Sequence, residues 1–75
     1  MARSKTGWGT VEGTAAASID AVLMDANQRM KVAEIADEIR RRGLPERNAI
    51  ERHLQTLRDR GVIDSKANGW GRVGL

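Results

Sequence analysis

The stretch Leu44–Leu75, LPERNAIERHLQTLRDRGVIDSKANGWGRVGL, decides the fold. Ile50, Leu54 and Leu57 recur at helical spacing, and Gly61 stops the run. Pro45 suits the first turn of a helix, where its missing N–H leaves no bond unmade. The spacing predicts a helix over 46–60. Val62-Ile63-Asp64-Ser65 then has the composition of a strand, Lys66-Ala67-Asn68-Gly69 supplies a turn, and residues 70–75 return as a second strand. Within that turn Asn68-Gly69 is the strongest short hairpin signal.

Two more helices are read upstream of this stretch. Val32, Ile35, Ala36 and Ile39 form one apolar stripe over 32–42. Asp37–Arg41 and Glu38–Arg42 are expected i,i+4 pairs in the favourable acid-first order, and Gly43 is placed to close the helix. Before it, Met30 and Lys31 read as a short extended piece. Thr14 can cap a first helix through Ala15-Ala16-Ala17, with Ile19, Val22, Leu23 and Ala26 at helical spacing and Asn27-Gln28 at its end. Residues 1–13 hold three glycines and scattered Ser and Thr, and read as a flexible N-terminal arm. Gly7-Trp8-Gly9-Thr10-Val11 echoes Gly69-Trp70-Gly71-Arg72-Val73. Two copies are too few for a repeat architecture, so the echo is either chance or an arm that adds a strand beside the hairpin.

Composition narrows the function classes. Seventy-five residues make one domain at most, here an arm (1–13) and a domain (14–75). No cysteine is present, which excludes disulfides and thiolate-held metal clusters, and one histidine cannot build a histidine-rich metal site. No cofactor is expected. No apolar run approaches the ~20 residues that span a bilayer. Met1-Ala2-Arg3-Ser4-Lys5 is basic, but no apolar segment follows it as a secretory signal requires. A cytoplasmic location with no membrane partner is expected. The net charge is +3, and ten of the thirteen basic side chains are arginine, which grips phosphate and guanine edges with two parallel bonds.

The order helix, extended piece, helix, turn, helix, hairpin resembles the winged helix-turn-helix superfamily over residues 18–75. The resemblance is carried by Ala21-Val22-Leu23, Val32-Ala33-Glu34-Ile35-Ala36, Ile50 through Leu57, and Gly61-Val62-Ile63. The Gly43-Leu44 break and the ending Gly69-Trp70-Gly71-Arg72-Val73-Gly74-Leu75 also look like the HARE-type helix-turn-helix domains, although the connection into the third helix is shorter here. Z-form-binding winged helices share a tryptophan after the wing. This chain lacks their proline pair, and their third-helix asparagine and tyrosine fall on Glu51 and Gln55. The resemblance implies a mainly α fold with a small β-hairpin (α+β), double-stranded DNA as the partner, helix 46–60 in the major groove and hairpin 62–75 as the wing.

At 100° per residue from Ile50, the residues Asn48, Arg52, Gln55 and Asp59 fall on the far side of that helix. Arginine can fork onto guanine, and asparagine and glutamine onto adenine, so Asn48, Arg52 and Gln55 are candidate base readers. Arg47 and Arg58 flank them where phosphates would pass, and Lys66 and Arg72 flank the hairpin tip. Arg40, Arg41 and Arg42 are read as compensating a helix C-terminus. His53, about 60° from the centre of the apolar stripe, reads as a half-buried structural histidine. Trp70 is expected to pack the hairpin onto the third helix, and Trp8 has no assigned partner. Glu34, Asp37 and Glu38, on the outer face of the second helix, offer an alternative: a protein-docking surface on the same fold. Without a nucleophile constellation, metal-ligand spacing or phosphate loop, the sequence points away from an enzyme. The expected role is DNA binding in transcriptional regulation or in chromosome or phage DNA organisation, on the nucleoid, as a homodimer or beside a larger protein.

Overall fold

In the computed structural model, which describes residues 4–75, Thr14 caps the first helix, α1 (Ala15–Asp25), by accepting the Ala17 N–H at 3.2 Å. None of the residues from Thr14 to Met24 is exposed. A helix so apolar around its circumference must be covered over most of its surface. The second helix, α2 (Val32–Arg41), opens with the Glu34 carboxylate accepting the Lys31 N–H at 3.0 Å. It closes at Gly43, beyond which the Leu44 N–H returns to the Ile39 carbonyl at 3.1 Å.

The third helix, α3 (Ile50–Asp59), begins four residues later than the sequence predicts. Pro45 does not open it. The Pro45 carbonyl accepts from Ser18 Oγ at 2.7 Å, which ties the segment to α1. Residues 44–49 form an irregular connection, with Ala49 at the N-cap position. After α3, the Val62 N–H bonds the Leu57 carbonyl at 3.3 Å and the chain enters the hairpin of β1 (Ile63–Lys66) and β2 (Gly69–Arg72).

The strands pair antiparallel from Ile63 opposite Arg72 to Lys66 opposite Gly69. Met30 lies beside β2 as a one-residue third strand, exchanging hydrogen bonds with Trp70 at 2.8 and 2.9 Å. The extended piece expected at Met30-Lys31 is thus part of the wing. The turn falls where predicted but for a different reason. Among the described residues no non-glycine residue has positive φ, so Asn68 does not take the mirror-image conformation, and within the turn only Gly69 has positive φ (125°). A Cβ on Gly69 would sit 2.5 Å from the Met30 carbonyl carbon. The glycine is required because the Met30 backbone passes against it.

The core is Ile19, Val22 and Leu23 from α1, Ile35 and Ile39 from α2, Ile50, Leu54 and Leu57 from α3, and Ile63 from β1. Each such side chain contributes about 1.5–3 kcal/mol by leaving water. Trp8, Leu44 and Trp70 pack around its edge. The arrangement is that of a winged helix, mainly α with a small hairpin.

Of the arm, residues 1–3 lie outside the described residues, and residues 4–13 fold back onto the domain. The Lys5–Val11 bridge closes a small loop, with Thr6 N–H bonded to the Thr10 carbonyl at 2.7 Å and Gly9 N–H to the Thr6 carbonyl at 2.9 Å. It lies against α1, where Gly7 approaches Met24. The strand beside the wing is Met30 and not the arm, so the Gly-Trp-Gly echo has no common structural role.

Candidate nucleic-acid interface

Arg52, Gln55 and Arg58 project from α3 into solvent. Asn48, exposed, and Arg47, half-buried, belong to the 44–49 connection and not to the helix, so Asn48 does not extend the Arg52–Gln55 ridge. Lys66 is exposed at the end of β1 beside the hairpin turn. Arg72 points the other way. Its Nη1 donates to the Leu23 carbonyl at 3.3 Å and to the Met24 carbonyl, meeting the free carbonyls at the C-terminus of α1. Strand alternation allowed either face for Arg72, and the unfilled acceptors of α1 decided it. Between α2 and the start of α3, Val32, Ala36, Ile39 and Ile50 floor an open cleft of about 590 Å³, with Arg47 and Arg52 on its rim.

The other arginines are engaged within the domain. Arg42 bonds Asp25 at 2.9 Å and Glu38 at 3.1 Å, Arg41 bonds Glu38, and Arg40 bonds Glu46 at 3.2 Å and lies 3.5 Å from Asp37. Of the two expected i,i+4 pairs only Glu38–Arg42 forms, because Arg41 turns to Glu38 as well. These bonds hold the Glu38 carboxyl below its ordinary value, Arg41 contributing most and Arg42 next. Of the acids on the outer face of α2, Glu38 and Asp37 thus meet the domain's own arginines, whereas Glu34 accepts only the Lys31 N–H.

Sequence reasoning missed the buried polar groups that set this geometry. Arg29 is only 6% exposed. Its Nη1 donates to the Asp64 carbonyl at 3.0 Å, and its Nη2 lies 2.5 Å from Asp64 Oδ1, an ion pair outside ideal hydrogen-bond alignment. It fits because Gly71 has no side chain: a Cβ there would come within 3.0 Å of Arg29 Cγ. Glycines at alternate strand positions, 69 and 71, were the available signal of a backbone and a side chain crossing the wing.

Asp20 is fully buried, with His53 Nε2 donating to Oδ1 and Thr6 Oγ1 to Oδ2, both at 2.7 Å. Burial alone would raise its carboxyl. The bonds from His53, Thr6 and Thr10, together with the attraction of His53, outweigh it and hold the group below its ordinary value. His53 is structural, as its position on the wheel implies, but its partner was not legible.

Among the described residues, the side chains of Arg47, Arg52, Arg58 and Lys66 make no bond to a carboxylate or a carbonyl, nor does that of Lys31, whose backbone runs against Gly69 of the wing. Glu51 and Asp59, exposed on α3, are likewise without an ion pair among them. The charge available to a partner is thus mixed, with cations in excess at α3 and the wing. No protein-family model, curated protein or solved structure matches the chain.

Proposed function

We propose that this chain binds double-stranded DNA, with α3 entering the major groove and the hairpin lying along the backbone. The observation that carries the reading is the partition of arginines and lysines. The arginines on α2, the α1–α2 connector and β2 are spent on internal partners, whereas Arg47, Arg52, Arg58 and Lys66, with Lys31 beside the wing, are left free around one helix and the hairpin. A folded domain gains little from unpaired exposed cations, and phosphate is the partner they suit. Arg52 and Gln55 are the base readers in this reading. Arg47, Asn48, Arg58, Lys66 and Lys31 contact the backbone, and Arg72 is withdrawn from the interface. A domain of this size grips a short stretch of duplex, so a second copy or a larger protein adds the remaining affinity. Transcriptional regulation and DNA organisation in the cytoplasm are the roles such a contact fits.

An NMR titration with a short mixed-sequence duplex, at low and then moderate salt, tests this. Shifts at Arg47, Arg52, Gln55, Arg58 and Lys66 that fade with salt are expected, with Arg72 unmoved. Arg52→Ala should cost about 1–3 kcal/mol and relax preference at one base position. An absence of shifts at low salt sinks the proposal and turns attention to a protein partner.

A further inference from the structure

Two tethers join the N-terminal segment to α3. At one, Thr6 and His53 share the buried Asp20 carboxylate. At the other, Arg60 Nη1 donates to the Trp8 carbonyl at 2.9 Å and to Thr10 Oγ1 at 3.3 Å. His53 and Arg60 lie two turns apart on one lateral edge of the helix, neither on the apolar stripe nor on the outward ridge. The stripe itself is narrow, consisting of Ile50, Leu54 and Leu57. Apolar contact along such a seam resists separation of the helix from the core but opposes roll about its axis only weakly, because it is non-directional. Hydrogen bonds at the edge do oppose roll. With side chains extending about 5–6 Å from the axis, a roll of roughly 20° moves a side-chain tip by about 2 Å. Binding constellations require tolerances near 0.5 Å.

We propose that residues 4–13 are a clasp that fixes the rotation of α3, with Thr6, Asp20, His53 and Arg60 as positioning residues for the outward face. This rests on the DNA reading for its functional consequence but not for its structural one. The segment covers α1 and, through α1's buried carboxylate, holds the helix that meets the ligand. Thr6 is the centre of the device. Its hydroxyl donates to Asp20 and accepts the Trp8 and Thr10 N–H groups, each at 3.2 Å.

The test compares the full chain with Thr6→Val, Thr6→Ser and Arg60→Met by amide hydrogen exchange, the Trp8 indole N–H resonance and duplex titration. Thr6→Val should move the Trp8 resonance toward its solvent-exposed position. It should also speed exchange across residues 53–59 roughly tenfold, the effect of losing a hydrogen bond to a charged acceptor, with α2 unchanged. Duplex affinity should fall severalfold with an unchanged salt slope, since no phosphate contact is lost. Thr6→Ser should restore all three, and Arg60→Met should reproduce the loss from the other tether and decides the matter if Thr6→Val fails to fold. Unchanged α3 exchange in both variants, or faster exchange with unchanged duplex affinity, overturns the proposal. If the wild-type chain binds no duplex, the DNA reading fails, and the exchange comparison alone decides whether the clasp exists.

Discussion

Asp20 illustrates how much of a site one side chain can decide while giving little sign of itself in the sequence. On the α1 wheel it reads as an ordinary polar position beside Ile19. It is buried because the 4–13 loop closes over it and supplies Thr6. Its folded pKa lies below its unfolded value, so the stability it contributes is fully present above that unfolded value, near 3.8. The contribution is lost as pH falls through the lowered folded value. Thermal unfolding followed by circular dichroism should therefore show a steep loss below about pH 4 in the wild type. Asp20→Asn should begin less stable and lack that loss, and parallel curves for the two proteins would mean that another group is responsible. His53 could be placed from its angle on α3. Its partner could not, because a contact between α1 and α3 across a loop leaves no local pattern.

At the level of elements, what could be read was whatever repeats. α2 and the body of α3 follow from apolar spacing, and the helix ends at Gly43 and Gly61 from left-handed closure. Sequence places the start of α3 too early because Pro45 suits both a first helical turn and an irregular connection, and the contact that ties it to Ser18 of α1 is distant in sequence. That error put Asn48 on the reading ridge. In the wing, Asn68-Gly69 correctly marked a turn, but Gly69 serves the close approach of Met30. Gly69→Ala should cost roughly 2–5 kcal/mol, combining a left-handed backbone penalty with overpacking. Urea denaturation measures the loss, and exchange at Met30 and Trp70 should rise ahead of exchange in α1. A cost within 0.5 kcal/mol of zero, the range of an ordinary surface change, would show that the Met30 backbone can yield.

For the molecule as a whole, the net charge of +3 was a poor guide, because it does not say which cations are free. The structure sorts them: internal pairing removes the arginines of α2 and the wing base and leaves an uneven field around α3. Four engaged phosphates would give a slope of about −3.6 in log Kobs against log salt, and Lys66→Ala should reduce its magnitude by about 1. Arg72→Ala should leave that slope intact while lowering stability, since its partners are α1 carbonyls. Fluorescence anisotropy across a salt series distinguishes the two, and equal slopes for all three proteins would remove Lys66 from the contact. The fold class was legible because it depends on element order. The free cations were only partly so, since pairing is decided by three-dimensional neighbours such as Asp64 for Arg29.

The Met30–Trp70 pairing also bears on synthesis. A chain made from its N-terminus presents Met30 long before Trp70, so this pairing cannot form until the second strand has emerged. Until α3 and β1 follow, α1 and α2 also lack Leu54, Leu57 and Ile63 to cover their apolar faces. The hairpin, on arrival, joins the segment before α2 to the segment after α3, a contact distant in sequence and correspondingly slow to form.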